Sequence, residues 1–236
     1  MMLTASIALV TGASRGLGAA VAIELARLGA HVVITARTPG GLEDTDDAIR
    51  ELGGSATLLP LDLLEADQID MLGPSIFQRF GRLDVLVHCA ASLGELTPAP
   101  HIVPKDWAAA IGVNLTAAAR LIRTCDPPLR NAAAGRAVFV TDARASAPKA
   151  YWGSYGATKA GMEHLVLTWA DELHLTRLRV NLFDPGPMRT RLRAQAFPGE
   201  LPASQPTPEA AAKALAALCL PDETRHGERV LAATPG

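Results

Sequence analysis

Short runs of apolar residues alternate with longer amphipathic stretches along the whole chain. The short runs are rich in Val, Ile and Leu, which is typical of strands buried on both faces of a sheet. They predict strands at residues 6–11, 31–36, 56–59, 84–88, 137–141, 179–183 and 229–232. The longer stretches carry apolar residues at helical spacing and predict helices at residues 16–28, 42–52, 67–80, 105–129, 152–174 and 208–219.

The alternation of strand and helix decides the fold class. Parallel strands joined by right-handed helical crossovers form a doubly wound sheet with helices on both faces. We therefore expect an α/β fold with a seven-stranded, mostly parallel Rossmann sheet, and a single domain over residues 1–236.

Two segments that contain proline and glycine, residues 92–104 and 187–208, read as loops. The second is long for a connection in a compact domain, and connections of that length usually serve as lids or substrate loops. We expect residues 187–208 to form a substrate loop, and the alternative is a passive excursion over the surface.

Composition and charge exclude several classes of function. The 236 residues carry a formal net charge of −2, which gives no electrostatic reason to bind nucleic acid or an acidic membrane. No run approaches the ~18–20 apolar residues that span a bilayer, and the short apolar N-terminal run predicts a strand rather than a signal peptide. The three cysteines are far apart, and neither they nor the histidines show metal-ligand spacing. We expect a cytoplasmic protein that binds no metal, nucleic acid or membrane.

A glycine-rich turn follows the first predicted strand and opens the first predicted helix. Its segment, TGASRGLG at residues 11–18, has glycines at positions 12, 16 and 18. Glycine lets the backbone approach a pyrophosphate closely, and the free N–H groups of a helix N-terminus favour anions. The spacing differs from the common G-x-G-x-x-G fingerprint, but the strand–turn–helix context predicts a nucleotide site.

The end of the second predicted strand indicates which dinucleotide is preferred. An acidic residue at that place binds the ribose 2′-hydroxyl of NAD(H) and repels a 2′-phosphate. This chain has Arg37 there instead, and Arg15 lies in the glycine turn. Guanidinium groups bind phosphate through paired, charge-assisted hydrogen bonds. We expect NADP(H) to be preferred over NAD(H), and the alternative is that both arginines are merely solvated.

Tyr155 and Lys159 form a candidate acid–base pair. They stand four residues apart in a predicted helix, so both side chains project from the same helix face. A free tyrosine titrates near ~10, and a neighbouring cation favours the phenolate and lowers that pKa. We therefore expect Lys159 to bring the pKa of Tyr155 closer to the range that is useful for proton transfer.

With the glycine turn, the chain resembles the short-chain dehydrogenase/reductase family over residues 3–233. The resemblance implies that Tyr155 exchanges a proton with a carbonyl or alcohol substrate, that Lys159 also holds the ribose, and that Asn114 anchors a water and a helix kink. It further implies nucleotide contacts after successive strands. These are Gly12, Ser14, Arg15, Gly16, Leu17, Gly18, Arg37, Asp62, Leu63, Cys89, Ala90, Pro185, Gly186, Met188 and Thr190, together with Tyr155 and Lys159.

Two residues at the end of the fourth predicted strand, His88 and Cys89, stand where the family usually has asparagines. We expect Cys89 to be a small apolar filler rather than a reactive thiol. We expect His88 to be a hydrogen-bonded structural residue rather than a catalytic base.

A third departure concerns catalysis directly. Thirteen residues before the tyrosine, the family has a serine that donates a hydrogen bond to the substrate, and this chain has Asp142. An ionised carboxylate cannot donate, opposes negative charge on a carbonyl oxygen and raises the tyrosine pKa. Three alternatives are open. Asp142 pairs with Arg144 or Lys149 and leaves Thr141 or Ser146 to donate; it is protonated and donates itself; or it marks a catalytically impaired protein.

The sequence thus predicts an NADP(H)-dependent oxidoreductase for a small carbonyl or alcohol substrate. The rival hypothesis is a nucleotide-binding sensor or scaffold protein that has lost efficient catalysis. The family resemblance also implies a homodimer or homotetramer, formed through the helices predicted at residues 105–129 and 152–174.

Overall fold

The computed structural model describes residues 2–232, and each predicted strand is present with its ends shifted by at most one residue. The strands are β1 (Ile7–Thr11), β2 (His31–Ala36), β3 (Ser55–Pro60), β4 (Val85–His88), β5 (Arg136–Val140), β6 (Arg179–Asp184) and β7 (Arg229–Leu231). They form one sheet in the order β3-β2-β1-β4-β5-β6-β7, and all neighbouring strands pair in parallel. The predicted doubly wound fold is confirmed, with a sheet that is wholly rather than mostly parallel.

Helices cover both faces of this sheet. They are α1 (Gly16–Arg27), α2 (Pro39–Glu51), α3 (Ala66–Asp70), α4 (Leu72–Phe80), α5 (Pro104–Ile111), α6 (Ala117–Asn131), α7 (Gly153–Glu172), α8 (Arg191–Ala196) and α9 (Pro208–Ala217). Helices α1, α2 and α9 pack on one face, and α4, α6 and α7 pack on the other.

The alternation of side chains along each strand fills the two halves of the core. In β1, Ala8 and Val10 pack with α1, α2 and α9, whereas Ile7 and Leu9 pack with the opposite layer. Successive strand residues point to opposite faces, so a strand that lies between two helical layers is apolar at every position. This explains why the strands appear in the sequence as continuous apolar runs.

Two predicted helices are interrupted. The helix expected at residues 67–80 is divided into α3 and α4 at Met71, where Gly73 packs so closely on α6 that a Cβ would collide with the Thr124 carbonyl oxygen. The helix expected at residues 105–129 contains a π-helical turn, Gly112–Thr116, between α5 and α6. The apolar spacing alone predicts that both helices continue, but close packing interrupts the first and a wide π-helical turn interrupts the second.

The apolar residues of α7 are mostly used within the chain. Met162, Val166 and Trp169 are buried against the sheet, and Leu165 is half-buried. These four residues are more apolar positions than one core-facing stripe needs, which would fit a helix covered on two sides, and the core of this chain already accounts for three of them. The predicted dimer or tetramer stays a prediction.

The segment 187–208 is partly structured, because it contains α8 and a 3₁₀ turn at Pro202–Ser204. No helix within residues 2–232 has both the length and the apolar character that crossing a membrane requires.

Candidate active site

A cavity of about 680 Å³ opens at the carboxyl ends of strands β1 to β6. This edge of a doubly wound sheet is where ligands bind, because the loops that follow the strands converge there. Every residue that the sequence assigned to the nucleotide lines the cavity, and so does Asp142. Asn114 does not line it and lies behind its wall.

The glycine turn between β1 and α1 is packed too tightly for larger residues. Gly12 has a φ of +70°, and a Cβ on it would lie 2.8 Å from the backbone of Ala90. A Cβ on Gly18 would collide with the carbonyl oxygen of Gly12. The turn thus brings the N-terminus of α1, which has no side-chain cap, to the cavity. Free N–H groups at a helix N-terminus suit a phosphate.

Arg15 and Arg37 lie exposed at the rim of the cavity beside β1 and β2. Neither guanidinium forms a hydrogen bond or an ion pair with any residue in the described part of the chain. The two residues between β2 and α2 include no acid. This corner of the cavity therefore presents two positive charges without a partner among the described residues, and no acid stands at the end of β2.

Tyr155 and Lys159 lie on the face of α7 that is turned toward the cavity, and both are buried. Lys159 Nζ donates to the Val140 carbonyl oxygen at 2.8 Å and lies 6.0 Å from the centroid of the Tyr155 ring. An ammonium group has three N–H donors. Within residues 2–232, two of those of Lys159 have no partner and are free for a ligand.

The expected lowering of the tyrosine pKa is not observed. Burial raises the pKa of Tyr155 above its usual value, and the charges of Asp142 and Asp184 raise it further. Burial also lowers the pKa of Lys159 to about 8. The net direction differs from the lowering expected from Lys159, because desolvation of the phenolate is the largest effect, and the rise expected from Asp142 adds to it. At neutral pH, Tyr155 is a neutral phenol and a proton donor.

Asn114 occupies the π-helical turn and is completely buried. Its Oδ1 accepts a hydrogen bond from Ser92 N at 2.7 Å, and its Nδ2 donates to Ser92 O at 2.8 Å and to Thr158 Oγ1 at 3.0 Å. The predicted kink is present. Asn114 ties the loop after β4 to α7 directly behind the cavity wall, and both of its N–H groups are used within the chain.

Asp142 caps the short 3₁₀ turn that follows β5. Its Oδ1 accepts a hydrogen bond from the backbone N–H of Arg144 at 2.7 Å, and Arg144 Nε lies 3.9 Å from the same oxygen. The side chain is 36% exposed and lines the cavity. Its Oδ2 has no hydrogen bond within residues 2–232. The carboxylate pairs with Arg144, as the first alternative requires, but it stays in the site.

The two hydroxyl groups expected to replace the missing serine are not available. Thr141 Oγ1 donates its only proton to Glu163 Oε1 at 2.6 Å. Ser146 Oγ accepts a hydrogen bond from Arg229 Nη1 at 2.8 Å and lies outside the cavity lining. The expectation that Thr141 or Ser146 donates to the substrate is therefore not supported.

Sequence reasoning missed an apolar compartment beside the tyrosine. Leu93 and Trp152 pack with Tyr155, and the Trp152 ring lies 5.7 Å from the Tyr155 ring and 5.9 Å from the Phe197 ring. Leu192 packs against the same group. Leu93, Leu192 and Phe197 are distant in sequence from Trp152 and Tyr155, so no local pattern in the sequence could have brought them together.

Of the three arginines at positions 189, 191 and 193, Arg193 is committed to contacts within the chain. Arg193 forms two hydrogen bonds of 2.7 Å with the Glu200 carboxylate, and its guanidinium lies 3.8 Å from the centroid of the Phe197 ring. Arg193 therefore helps to hold segment 187–208 in place.

His88 and Cys89 have the structural character that was expected. His88 Nδ1 lies 2.8 Å from Thr11 Oγ1, and burial lowers the pKa of His88 to about 3. Burial raises the pKa of the Cys89 thiol to about 12. A neutral imidazole and a thiol that does not ionise are poor candidates for acid–base or nucleophilic chemistry at neutral pH.

Comparison with known proteins places this geometry in context. The family model described as short chain dehydrogenase matches residues 6–201. The protein named uncharacterized oxidoreductase YciK from Escherichia coli K12 is 36% identical over 210 residues, which cover 88% of this chain and 83% of that protein.

Solved structures agree over almost the whole chain. A short chain dehydrogenase from Salmonella enterica serovar Typhi superposes with a TM-score of 0.94 at 32% identity, covering 99% of this chain and 98% of the other. A candidate short chain dehydrogenase from Shigella flexneri 2a, solved in complex with NADP, superposes with a TM-score of 0.93 at 33% identity and covers 98% of both chains.

Proposed function

The chain belongs to the short-chain dehydrogenase/reductase family of oxidoreductases, and on that premise we propose that it is an NADP(H)-dependent enzyme acting on a carbonyl or alcohol substrate. One observation carries the proposal. The glycine turn, two unpaired arginines and the Tyr155–Lys159 pair all open onto one cavity.

The residues around the cavity fit a dinucleotide. The close packing of Gly12 and Gly18 leaves backbone room for a pyrophosphate at the N-terminus of α1. The two unpartnered N–H donors of Lys159 suit ribose hydroxyls. When bound, the nicotinamide supplies hydride to a substrate carbon or accepts hydride from it.

The preference for NADP(H) over NAD(H) is argued from charge. Arg15 and Arg37 are free to bind a 2′-phosphate, and no acid at the end of β2 would repel it. The NADP complex of the similar Shigella flexneri protein supports the same assignment.

Proton transfer falls to Tyr155. Its buried phenol keeps its proton at neutral pH and donates it to the oxygen of a carbonyl substrate as that oxygen gains charge. The reverse reaction needs the phenolate as a base, which burial disfavours.

Segment 187–208 is proposed as the substrate loop. Phe197 from this segment closes the apolar compartment over Trp152, and Leu192 packs beside it. The compartment excludes water from the substrate carbon next to Tyr155.

A turnover assay with NADPH and a panel of aldehydes, ketones and quinones tests the proposal. Tyr155→Phe removes the proton and keeps the ring, so carbonyl reduction should fall by about 100- to 10,000-fold, the range that general acid catalysis supplies. NADPH affinity should not change. A variant that reduces carbonyls as fast as the wild type would contradict the assigned role of Tyr155.

The rival function is nucleotide binding without turnover, and the position of Asp142 supports it. The carboxylate lines the cavity where the family places a hydrogen-bond donor. Tight NADPH binding with no reduction of any substrate would favour the rival. Restoration of carbonyl reduction by Asp142→Ser would show that the aspartate alone limits the chemistry.

A further inference from the structure

Asp142 places a negative charge at the position where a carbonyl oxygen would gain one. We infer that the site prefers a carbon–nitrogen double bond, and that its substrates are cyclic imines bound as iminium cations, with the N–H group donated to Asp142 Oδ2. This inference rests on the proposed NADP(H)-dependent reduction and replaces the carbonyl with its nitrogen counterpart.

The orientation of the carboxylate supports an acceptor role. Its Oδ1 is held by the backbone N–H of Arg144 at 2.7 Å, which fixes the side chain at the start of the 3₁₀ turn. Oδ2 has no hydrogen bond within the described range, and the side chain lines the cavity. A fixed carboxylate with one free oxygen can accept a charge-assisted hydrogen bond from a cation.

The side chains around Asp142 supply no replacement donor for a carbonyl oxygen. Thr141 gives its proton to Glu163, and Ser146 lies outside the cavity lining. Among the described residues, the Tyr155 phenol remains as a donor, and the two free N–H donors of Lys159 are assigned to the ribose. A carbonyl oxygen would thus meet one donor and one repelling charge, whereas an iminium nitrogen would meet an attracting charge.

The compartment also suits a flat cation. The centroid of the Trp152 ring lies 5.7 Å from that of the Tyr155 ring and 5.9 Å from that of the Phe197 ring. Aromatic faces attract cations. Other cationic side chains line this part of the cavity, namely Arg144, Lys149, Lys159, Arg191 and Arg193. Arg193 is paired with Glu200, and Arg144 lies against the Trp152 ring with its Nε 3.9 Å from Oδ1, which leaves Oδ2 free.

The reaction balances without a proton from the tyrosine. The iminium carbon accepts hydride, so one C–H bond forms and the π pair of the C=N bond becomes the nitrogen lone pair. The nitrogen keeps its proton, and the product is a neutral secondary amine, while NADPH is oxidised to NADP⁺. A ketone differs at this step, because its oxygen must take a proton from Tyr155.

Two bicyclic compounds of similar size test the inference, namely 3,4-dihydroisoquinoline and 1-tetralone, each with NADPH. We expect the wild type to favour the imine. Asp142→Asn keeps the shape and an acceptor for the Arg144 N–H, and should lower kcat/KM for the imine by about 10- to 100-fold, the value of a hydrogen bond to a charged group. It should not lower kcat/KM for the ketone.

Tyr155→Phe should have the opposite effect, because it should lower kcat/KM for the ketone far more than kcat/KM for the imine. Asp171→Asn, which removes an exposed charge from the far end of α7, controls for net charge.

A binding measurement separates this inference from the proposed function. After release, the secondary amine takes a proton from water and becomes an ammonium cation, which should bind the wild type with NADP⁺ present and quench tryptophan fluorescence. Asp142→Asn should weaken that binding by about 10- to 100-fold and should weaken binding of the neutral alcohol of 1-tetralone much less. The inference would be overturned if Asp142→Asn weakened binding of the amine and of the alcohol equally, or if the wild type reduced the ketone efficiently and did not reduce the imine. Either result would leave the proposed function standing. Binding of NADPH with no turnover of either compound would overturn the proposed function, and the amine-binding result would still decide whether the site selects a cation.

Discussion

Lys159 is a buried charge whose cost to folding can be worked out. The side chain is 1% exposed, and its Nζ makes one hydrogen bond, to the Val140 carbonyl oxygen. Burial lowers its pKa from about 10.5 to about 8. At about 1.4 kcal/mol for each pH unit, that difference means that folding the charged lysine costs about 3 kcal/mol at pH 7.

The sign of the pH dependence follows from proton binding. Between pH 8 and 10.5 the unfolded chain holds the lysine proton and the folded chain releases it. The free energy of unfolding should therefore rise with pH across this window through Lys159, by about 3 kcal/mol in total. At pH 7 the full cost is present.

Replacing Lys159 with methionine removes the charge and nearly keeps the volume. The variant loses one hydrogen bond, worth about 1 kcal/mol, and escapes the desolvation cost of about 3 kcal/mol. We expect Lys159→Met to be about 2 kcal/mol more stable than the wild type at pH 7. It should also lose the rise in stability between pH 8 and 10.5.

Urea unfolding followed by tryptophan fluorescence, at several pH values and without nucleotide, measures both effects. Subtracting the two proteins cancels the titration of the groups that do not interact with Lys159. Lys105→Met, at an exposed lysine, is the control and should change neither quantity. A Lys159→Met protein that is less stable at pH 7, or that keeps the wild-type pH dependence, would refute the reasoning.

Three further predictions concern the nucleotide site and assembly. Arg37→Asp should weaken NADPH binding by about 10- to 100-fold and leave NADH binding unchanged, as titration calorimetry would measure. The control Arg177→Asp, at a distant exposed position, should change the affinity for neither nucleotide. Equal loss of affinity for both nucleotides in Arg37→Asp would contradict the assignment of Arg37 to the 2′-phosphate. Gly18→Ala should lower the free energy of unfolding in urea by more than about 2 kcal/mol, because its Cβ would collide with the Gly12 carbonyl oxygen. The control Gly40→Ala places its Cβ in open space and should not lower the free energy of unfolding. Equal stability of the two variants would contradict the packing of the turn. Light scattering at micromolar concentration should give the mass of a dimer or tetramer, and a monomer would remove that prediction.

The parts of the fold that depend on local pattern were predictable from the sequence. Strands such as β1 are apolar at every position because both faces are covered, and the turn that holds Gly12 is adjacent in the chain to the helix it opens. Tyr155 and Lys159 share a helix face because they are four residues apart. These features need only spacing along the chain.

Features that depend on distant contacts were not predictable. The break between α3 and α4 comes from Gly73 packing on α6, and the compartment of Trp152 and Phe197 joins residues from separate loops. The tyrosine pKa was predicted in the wrong direction because the degree of burial of Tyr155 depends on the whole fold. The desolvation of a side chain depends on the assembled site, so it cannot be predicted from a sequence motif.

For Asp142, one part of its role was predictable from the sequence and another part was not. Its place thirteen residues before the tyrosine was visible in the sequence, and so was the conflict with carbonyl chemistry. Which oxygen is held and which is free depends on the 3₁₀ turn after β5, which the sequence did not specify.

Transfer of deuterium from NADPH that carries deuterium at both hydrogen positions of nicotinamide C4 is the direct test of hydride transfer. We expect deuterium at the former double-bonded carbon of a reduced carbonyl or cyclic imine, as mass spectrometry and NMR of the product would show. Nucleotide binding without label in any product would contradict the claim that this protein is an oxidoreductase.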